Sequence, residues 1–295
     1  MKSNEERVVL SAPAKVNLFL EIMGHGVSGY HEIATVMQTV DLVDTLEITR
    51  SEEQGFGLEV EGVEGLETPD NLVLRAARQA AQIADAKGGA RFKLTKAIPV
   101  GAGLGGGSSD AAAALMGLNR LWGLRLPASE LALIGARVGS DVPFFFSGDA
   151  AVCTGRGEKV EPIEPLRLQI LLVVPAAHVS TARVYENARH EGARRSIDDF
   201  VRLMKEKDVG RIAASLFNRL EQTTRSLEPE VARLLDLIAA EDVLGWRLSG
   251  SGGAVYAIVA SKNEAVKLAR KYSNFGYKAW AVTSPSPSSG TLQGG

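Results

Sequence analysis

Residues 98–112 read Ile98-Pro99-Val100-Gly101-Ala102-Gly103-Leu104-Gly105-Gly106-Gly107-Ser108-Ser109-Asp110-Ala111-Ala112. Five of the seven positions from 101 to 107 are glycine, and Ser108 is a favourable N-cap for an alanine-rich helix predicted over residues 110–121. Glycine has no Cβ atom, so this backbone can adopt positive φ and approach a ligand closely. Successive N–H groups in front of a helix N-terminus bind anions. The stretch therefore predicts a loop that holds a polyphosphate, since a plain turn rarely needs five glycines.

Two better-known phosphate loops do not fit this stretch. The spacing Gly101-x-Gly103-x-x-Gly106 satisfies the dinucleotide fingerprint, but that motif needs a strand leading directly into the loop and an acidic residue about 20 positions later. Here Pro99 interrupts the approach, and a helix is predicted over residues 130–138, with Ser129 as its N-cap. Because no Gly-Lys-Ser/Thr follows, a P-loop is excluded as well, and any lysine of the site must come from elsewhere in the chain.

Lys15 is the candidate for that lysine. It lies in Ser11-Ala12-Pro13-Ala14-Lys15-Val16-Asn17, where Lys15 and Asn17 share one face of a predicted strand. A lysine beside an amide can hold an anionic or hydroxyl-rich ligand. Taken alone, the segment is also typical of a solvated surface lysine.

Asp141 is the candidate acid, in Val138-Gly139-Ser140-Asp141-Val142-Pro143-Phe144-Phe145-Phe146. An aspartate in front of an apolar wall of phenylalanines lies in a partly dry setting, where it can act as a general base. A turn aspartate that caps the next element, predicted as a strand over residues 142–146, is an equal alternative.

A second glycine loop, Leu248-Ser249-Gly250-Ser251-Gly252-Gly253-Ala254, precedes a strand predicted over residues 254–260. It indicates an ordinary turn before a strand, a loop that braces the first one, or a loop that contacts phosphate.

Composition excludes several classes of protein. The 33 Lys and Arg residues against 35 Asp and Glu residues argue against a nucleic-acid binder with a broad basic surface. The single Cys153 excludes an internal disulfide and a Cys-x-x-Cys site. The polar start of the chain does not resemble a signal peptide, and the longest apolar run, over residues 170–177, is shorter than a bilayer span. We therefore expect a cytoplasmic protein without a membrane partner.

The pattern of elements indicates an α+β protein with two domains. Strands are predicted over residues 8–10, 16–22, 45–49, 57–60, 91–96, 150–154, 168–174 and 277–282, and helices over 71–84, 181–189, 196–205, 209–216, 230–240 and 263–272. The first two strands are expected to pair with each other, whereas periodicity leaves residues 31–40 unassigned. We expect domains at residues 1–165 and 166–283, followed by a disordered Ser/Pro/Gly-rich tail at 284–295.

Taken together, the Pro-x-Lys-x-Asn segment, the Gly-Leu-Gly-Gly-Gly-Ser-Ser loop and the Ser-Gly-Ser-Gly-Gly loop resemble the three motifs of the GHMP kinases. Gly29-Tyr30-His31-Glu32 and Ser140-Asp141-Val142-Pro143-Phe144 resemble the branch that phosphorylates 4-diphosphocytidyl-2-C-methyl-D-erythritol. The chain departs from this branch at Gly26 and Ser28, where a basic residue and an aspartate are usual.

The resemblance implies a two-domain α+β fold, with the site in the cleft between the domains and with ATP and Mg²⁺ as co-substrate and cofactor. It implies transfer of the γ-phosphoryl group to the 2-hydroxyl of the cytidyl substrate, with Asp141 as base and Lys15 as its cationic partner. The resemblance implies that the loop that starts at Pro99 and Val100 and runs from Gly101 to Ser109 contacts the ATP phosphates, and that Lys96 and Asn71 contact the nucleotide. It further implies that Tyr30, His31 and Tyr185 contact the cytosine and that Asn17 contacts the erythritol. The ligands of Mg²⁺ are left open, although Ser109 and Asp110 could approach it.

Two alternatives stay open at this point. One is a GHMP kinase for another alcohol, of the homoserine or mevalonate type. The other is a nucleotide-binding protein of the same fold without turnover.

Overall fold

A computed structural model describes residues 7–25, 31–84, 88–177, 179–188 and 192–285. Tyr30, Gly26 and Ser28 lie outside these ranges. The strands are β1 Arg7–His25, β2 His31–Ser51, β3 Phe56–Glu61, β4 Gly89–Thr95, β5 Ala150–Gly155, β6 Lys159–Pro162, β7 Leu168–Val174, β8 Phe217–Asn218, β9 Gly245–Leu248, β10 Val255–Val259 and β11 Lys278–Ser284. The α-helices are α1 Leu72–Ala84, α2 Gly106–Leu121, α3 Ala128–Val138, α4 Thr181–Glu186, α5 Ile197–Glu206, α6 Val209–Ala214, α7 Glu221–Leu227, α8 Pro229–Ala239 and α9 Lys262–Asn274, and a 3-10 helix spans Val142–Phe146.

The first sheet has seven strands and is organised by the two longest ones. Its order is β3-β4-β2-β1-β8, and β5 pairs with β2 and with β6. The expected pairing of residues 8–10 with 16–22 is wrong, because both stretches belong to one continuous strand, β1, whose antiparallel partner is β2. Pro13 is tolerated there because the register shifts between Pro13 and Ala14. Residues 33–40 of β2 are all buried, so they show no polar alternation, and periodicity could not assign them.

The second sheet is antiparallel, in the order β11-β7-β10-β9. One of its faces packs against β1 and β2 of the first sheet, through Val16, Leu18, Ile170 and Tyr256, with α5 and α6 beside them. Its other face packs against α8 and α9. Helices α1, α2 and α3 cover the opposite face of the first sheet. Because β8 pairs with β1, the second half of the chain adds a strand to the first sheet, and the predicted boundary at residue 165 stays a prediction.

Several predicted boundaries change. Helix α2 starts at Gly106 behind Gly105, whose φ of 70° turns the chain directly into the helix, so Ser108 lies inside α2 and is not its N-cap. Ser129 likewise lies inside α3, which follows Pro127. Ser284 ends β11 and is buried, so it does not belong to a tail.

The segment predicted as a strand over residues 142–146 is the 3-10 helix, with Pro143 in its first turn. Proline suits the start of a helix because its missing N–H needs no partner there. Strands β6, β8 and β9 and helix α7 were not predicted, since two to seven residues carry little periodicity. Across the described part of the chain, each helix falls short of the length and apolar character that a bilayer span requires.

Candidate active site

A cavity of about 960 Å³ opens between the two glycine loops, β1, β2 and α4. It brings together five side chains that the sequence singled out, namely Lys15, Asn17, His31, Asp141 and Tyr185. Gly103 and Gly105 of the first loop and Gly250 and Ser251 of the second form part of its wall. Segments more than 200 residues apart in the chain therefore meet in one place.

Lys15 lies at the bottom of this cavity, with its side chain only 4% exposed. Its Nζ donates to Asn17 Oδ1 at 2.7 Å and to the carbonyl of Gly103 at 2.9 Å. Asp141 Oδ2 lies 3.7 Å from Nζ. An ammonium group has three N–H donors, so one remains for Asp141 or for a substrate oxygen. Burial lowers the pKa of Lys15, and the nearby charge of Asp141 opposes that shift only in part.

Asp141 lies at the residue before the 3-10 helix, and its carboxylate does not cap that helix. Its side chain is 32% exposed and lines the cavity, while Phe144 and Phe145 behind it are buried. Gly157, with φ of 117°, passes so close that a Cβ there would lie 3.2 Å from Asp141 Oδ1. The capping alternative therefore finds no support, and the carboxylate is left accessible from the cavity.

The first glycine loop is held against the second. Gly103 has φ of 83°, and a Cβ at this position would lie 2.1 Å from the carbonyl oxygen of Ser249, so no other residue fits without movement of the backbone. The Ser249 hydroxyl donates to the carbonyl of Gly103 at 3.0 Å, and the Ala254 N–H donates to the carbonyl of Ala102 at 3.0 Å. The second loop thus braces the first.

Beneath the start of α2, three charged side chains form a buried cluster. Lys96, 3% exposed, donates to Asp110 Oδ2 at 2.7 Å and also to Asp44. Asp44 accepts the N–H groups of Ala97 and Ile98, which lead into the glycine loop. Burial, followed by the neighbouring charge of Asp44, raises the pKa of Asp110 to about 7 against the pull of Lys96.

Lys96 and Asn71, predicted to contact the nucleotide, have structural partners here. The two carboxylates surround the ammonium of Lys96. Asn71 precedes α1, where its Oδ1 accepts from the Val73 N–H at 2.9 Å and its Nδ2 donates to the carbonyl of Leu66 at 2.9 Å. These contacts suit a lysine that follows a strand and an amide at a helix start, and a role of either residue at the nucleotide stays a prediction.

His31 and Tyr185 lie together on one wall of the cavity. Their ring centroids are 5.5 Å apart and the rings are inclined by 33°. Burial, with a smaller effect of the charge of Asp141, raises the pKa of Tyr185. Tyr30, which the sequence places beside His31, lies outside the described residues.

Sequence reasoning missed three polar residues at this site. Thr35 accepts a hydrogen bond from Asn17 Nδ2 at 2.9 Å. Asn218 donates to the carbonyls of Leu248 and Gly250 at 2.9 and 2.7 Å, and so fixes the second glycine loop. Arg156 lines the cavity next to Gly157. The Gly155-Arg156-Gly157 spacing was a usable signal, whereas Thr35 and Asn218 carry none in a single sequence.

Comparisons with known proteins identify the family of this chain. The family described as GHMP kinases N terminal domain matches residues 71–149, and GHMP kinases C terminal matches residues 200–278. Proteins named 4-diphosphocytidyl-2-C-methyl-D-erythritol kinase from Exiguobacterium sibiricum and Pelotomaculum thermopropionicum are each 40% identical, over 88% of this chain and 92% of theirs.

A crystal structure of 4-(cytidine 5'-diphospho)-2C-methyl-D-erythritol kinase superposes with a TM-score of 0.80 and 32% identity, covering 94% of this chain and 99% of that one. Homoserine kinase from Cytophaga hutchinsonii shares the fold, with a TM-score of 0.66 at 18% identity, over 97% of this chain and 96% of that one. The α+β architecture expected from the sequence is confirmed, and the chain belongs to the GHMP kinases, within the family of the 4-diphosphocytidyl-2-C-methyl-D-erythritol kinases.

Proposed function

We propose that this chain is an ATP-dependent kinase that phosphorylates the 2-hydroxyl of 4-diphosphocytidyl-2-C-methyl-D-erythritol, in the non-mevalonate route to isoprenoid precursors. The observation that carries the proposal is the Lys15–Asp141 pair, which faces a cavity between the glycine loop and the His31–Tyr185 wall. The names of the relatives supply the identity of the substrate. The single, buried Cys153 suits a reducing, cytoplasmic setting.

Asp141 accepts the proton of the attacking hydroxyl. The acceptor is a tertiary alcohol, crowded and weakly acidic, and phosphoryl transfer depends on positioning and on charge stabilisation more than on covalent help. A carboxylate that is partly exposed to the cavity can take up this proton as the oxygen begins to bond to phosphorus. Lys15, 3.7 Å away, stabilises the negative charge on the same oxygen with its remaining N–H.

The glycine loop binds the phosphates of ATP. Gly101, Gly103 and Gly105 all have positive φ, with values of 69°, 83° and 70°, and the loop leads directly into the N-terminus of α2. Backbone N–H groups in such a turn, together with the helix dipole, favour bound anions. Because Lys15 donates to the carbonyl of Gly103, the loop is tied directly to the Lys15–Asp141 pair.

The first turn of α2 fits Mg²⁺. Ser109 Oγ and Asp110 Oδ1 are buried and have no hydrogen-bond partner within the described ranges. A hydroxyl and one carboxylate oxygen, completed by phosphate oxygens and water, are the donors that Mg²⁺ usually takes beside a nucleotide. Ser109 and Asp110 would hold the ion at the start of α2, where it would supply positive charge against the phosphates.

His31 and Tyr185 receive the cytosine. An aromatic ring face stacks on any base, whereas a histidine edge offers both a donor and an acceptor. The proposal places Tyr30 on the same base, by its position in the motif.

One assay tests the function. Purified protein with ATP, Mg²⁺ and the cytidyl substrate should release ADP, and phosphorus NMR should show a new phosphomonoester on the product. Homoserine and mevalonate, tested in parallel, should give no more ADP than protein with ATP alone. Turnover with homoserine or mevalonate and none with the cytidyl substrate would show a GHMP kinase for another alcohol. ATP binding without turnover on any acceptor would show a nucleotide-binding protein of the same fold.

A further inference from the structure

A chain of hydrogen bonds runs from the ammonium of Lys15 through two neighbouring side chains to the backbone. Lys15 Nζ donates to Asn17 Oδ1 at 2.7 Å, Asn17 Nδ2 donates to the Thr35 hydroxyl at 2.9 Å, and that hydroxyl donates to the carbonyl of Phe19 at 2.6 Å. Thr35 is fully buried, and Asn17 is 3% exposed. Lys15, Asn17 and Phe19 belong to β1, and Thr35 lies on β2 opposite Leu20.

Donor and acceptor chemistry allows this series of hydrogen bonds only one direction. A carbonyl can only accept, so the Thr35 hydroxyl must donate its single proton to the carbonyl of Phe19 and can only accept from Asn17. The Asn17 group that meets Thr35 must therefore be the NH₂ group, which turns Oδ1 towards Lys15. An ammonium can only donate, so Lys15 requires that same oxygen. The two ends of the chain thus agree on one orientation of an amide that could otherwise flip.

We infer that Thr35 is a positioning residue of the kinase, which fixes the orientation of the Asn17 amide so that its oxygen holds the ammonium of Lys15. This inference rests on the proposed function, since Lys15 is assigned there to the reacting oxygen. The main chain of Asn17 is anchored separately, because the Tyr256 hydroxyl donates to its carbonyl at 2.9 Å. Thr35 therefore controls the amide group, while the backbone beneath it stays in place.

The consequence concerns the third N–H of Lys15. With Asn17 Oδ1 and the carbonyl of Gly103 occupying two donors, the remaining one faces Asp141 and the cavity. Without the Thr35 hydroxyl the NH₂ group of Asn17 loses its acceptor, and Oδ1 is held only by Lys15 and by the long contact from the Ser249 hydroxyl at 3.5 Å. Lys15 then has a less firmly placed acceptor, and a charged lysine in a buried setting depends on its acceptors.

The test replaces Thr35 by valine, which has nearly the same shape and lacks the hydroxyl. Thr35→Val should lower kcat by about tenfold, the effect of leaving one buried polar group unpaired, with a smaller change in KM for ATP. Thr35→Ser keeps the hydroxyl and should restore most of kcat. Thr45→Val, an exposed site on the same strand, is the matched control and should resemble the wild type. Should Thr35→Val fail to fold, Thr35→Ala, which removes the hydroxyl without adding bulk, takes its place.

A double-mutant cycle and a titration separate positioning from packing. If Thr35 acts through Asn17, adding Thr35→Val to Asn17→Ala should cost nothing further, because the two changes remove one unit. The NMR resonance of the Lys15 Cε carbon, assigned by its loss in Lys15→Met, should titrate at lower pH in Thr35→Val than in the wild type. Asp141 and Cys153 also face this ammonium and are the same in both proteins.

Wild-type kcat in Thr35→Val, or an equal loss with and without Asn17→Ala, would overturn the inference. An unchanged titration of Lys15 would do so as well, and needs no activity. If the wild type itself does not phosphorylate the cytidyl substrate, the proposed function fails, while the titration still decides the role of Thr35.

Discussion

Two lysines of this chain are buried beside aspartates, and their surroundings give them opposite properties. Lys15 faces one aspartate across 3.7 Å and borders a cavity, whereas Lys96 is enclosed between Asp44 and Asp110. Burial lowers the pKa of Lys15, and the nearby Asp141 and Cys153 do not make up the loss. At Lys96 burial pulls the pKa down too, but the charges of Asp110 and Asp44 together outweigh it, so the pKa is raised.

The two directions carry opposite consequences for stability. Because the pKa of Lys96 is higher in the folded protein than in the unfolded chain, its charge stabilises the fold, and this contribution is lost only as pH rises through the folded-state value. The pKa of Lys15 is lower in the fold, so its charge destabilises the protein until the lysine loses its proton. A charge kept at a cost, next to a cavity, is typical of a candidate functional site, whereas a charge that stabilises the fold is typical of a structural ion pair.

The largest expected effect is on turnover at the Lys15 side. Asp141→Asn keeps the shape and removes the base, and should lower kcat by about 10²–10⁴ while ATP binding and the unfolding midpoint stay close to wild type. Stopped-flow turnover and ATP titration measure the two quantities separately. Near-wild-type kcat would show that Asp141 is not the base and would remove the contrast with Lys96.

Lys96→Met should instead act on stability. It leaves two buried carboxylates without their cation, and breaking a buried pair in this way costs about 3–5 kcal/mol of the free energy of unfolding. Urea unfolding measures this cost, and the matched variant is Lys15→Met. There the remaining Asp141 is 32% exposed and stays hydrated, so stability should hardly change while turnover is lost. Equal destabilisation in the two variants would contradict the proposed division of roles.

A smaller effect is expected from Gly105→Ala. Gly105 has φ of 70°, and a Cβ there would lie 2.9 Å from Lys15 Cγ and 3.2 Å from Phe145 Cζ. The strain of a non-glycine residue at such φ is about 1–3 kcal/mol, and the new methyl group pushes against the stem of Lys15, the lysine proposed for catalysis. Gly123→Ala is the matched control, since Gly123 has a similar φ of 65°, lies outside the loop and its Cβ would meet nothing within 4 Å. We expect kcat to fall in the first variant and not in the second. Loss of ATP affinity alone in Gly105→Ala would mean that the loop does not support Lys15.

The sequence predicted the components of the site better than their partners. The glycine loop, Lys15 and Asp141 stand out because each belongs to a pattern with a chemical reason, and the structure brings them to one cavity. The roles of Lys96 and Thr35 could not be predicted in the same way. The lysine meets Asp44, 52 positions away, and the threonine meets Asn17 across two paired strands, so both depend on strand register.

Local propensity failed for a related reason. The apolar residues 142–146 suit a strand, yet the packing of Val142 and Phe144 against the core selects a 3-10 helix. At β2 the burial of both faces removed the periodic signal altogether. In each case tertiary contacts override the local pattern.

The smallest expected effect concerns the His31–Tyr185 wall of the cavity. It tests whether this wall forms one site with Lys15. Stacking on Tyr185 tolerates any base, so Tyr185→Ala should weaken the binding of cytidyl and uridyl substrates about equally, by about 1–3 kcal/mol.

Only edge hydrogen bonds distinguish cytosine from uracil, and a site with buried polar groups rejects the base that leaves them unpaired. His31→Ala should therefore narrow the ratio of kcat/KM for the cytidyl over the uridyl substrate, while kcat with the cytidyl substrate at saturation changes little, because the Lys15–Asp141 pair is intact. The measurement is kcat/KM for both substrates in the wild type and the two variants. An unchanged ratio in His31→Ala would assign base recognition to other groups, of which the main chain of residues 29–32 is nearest in sequence. His31 and Lys15 would then line the same cavity without serving the same substrate.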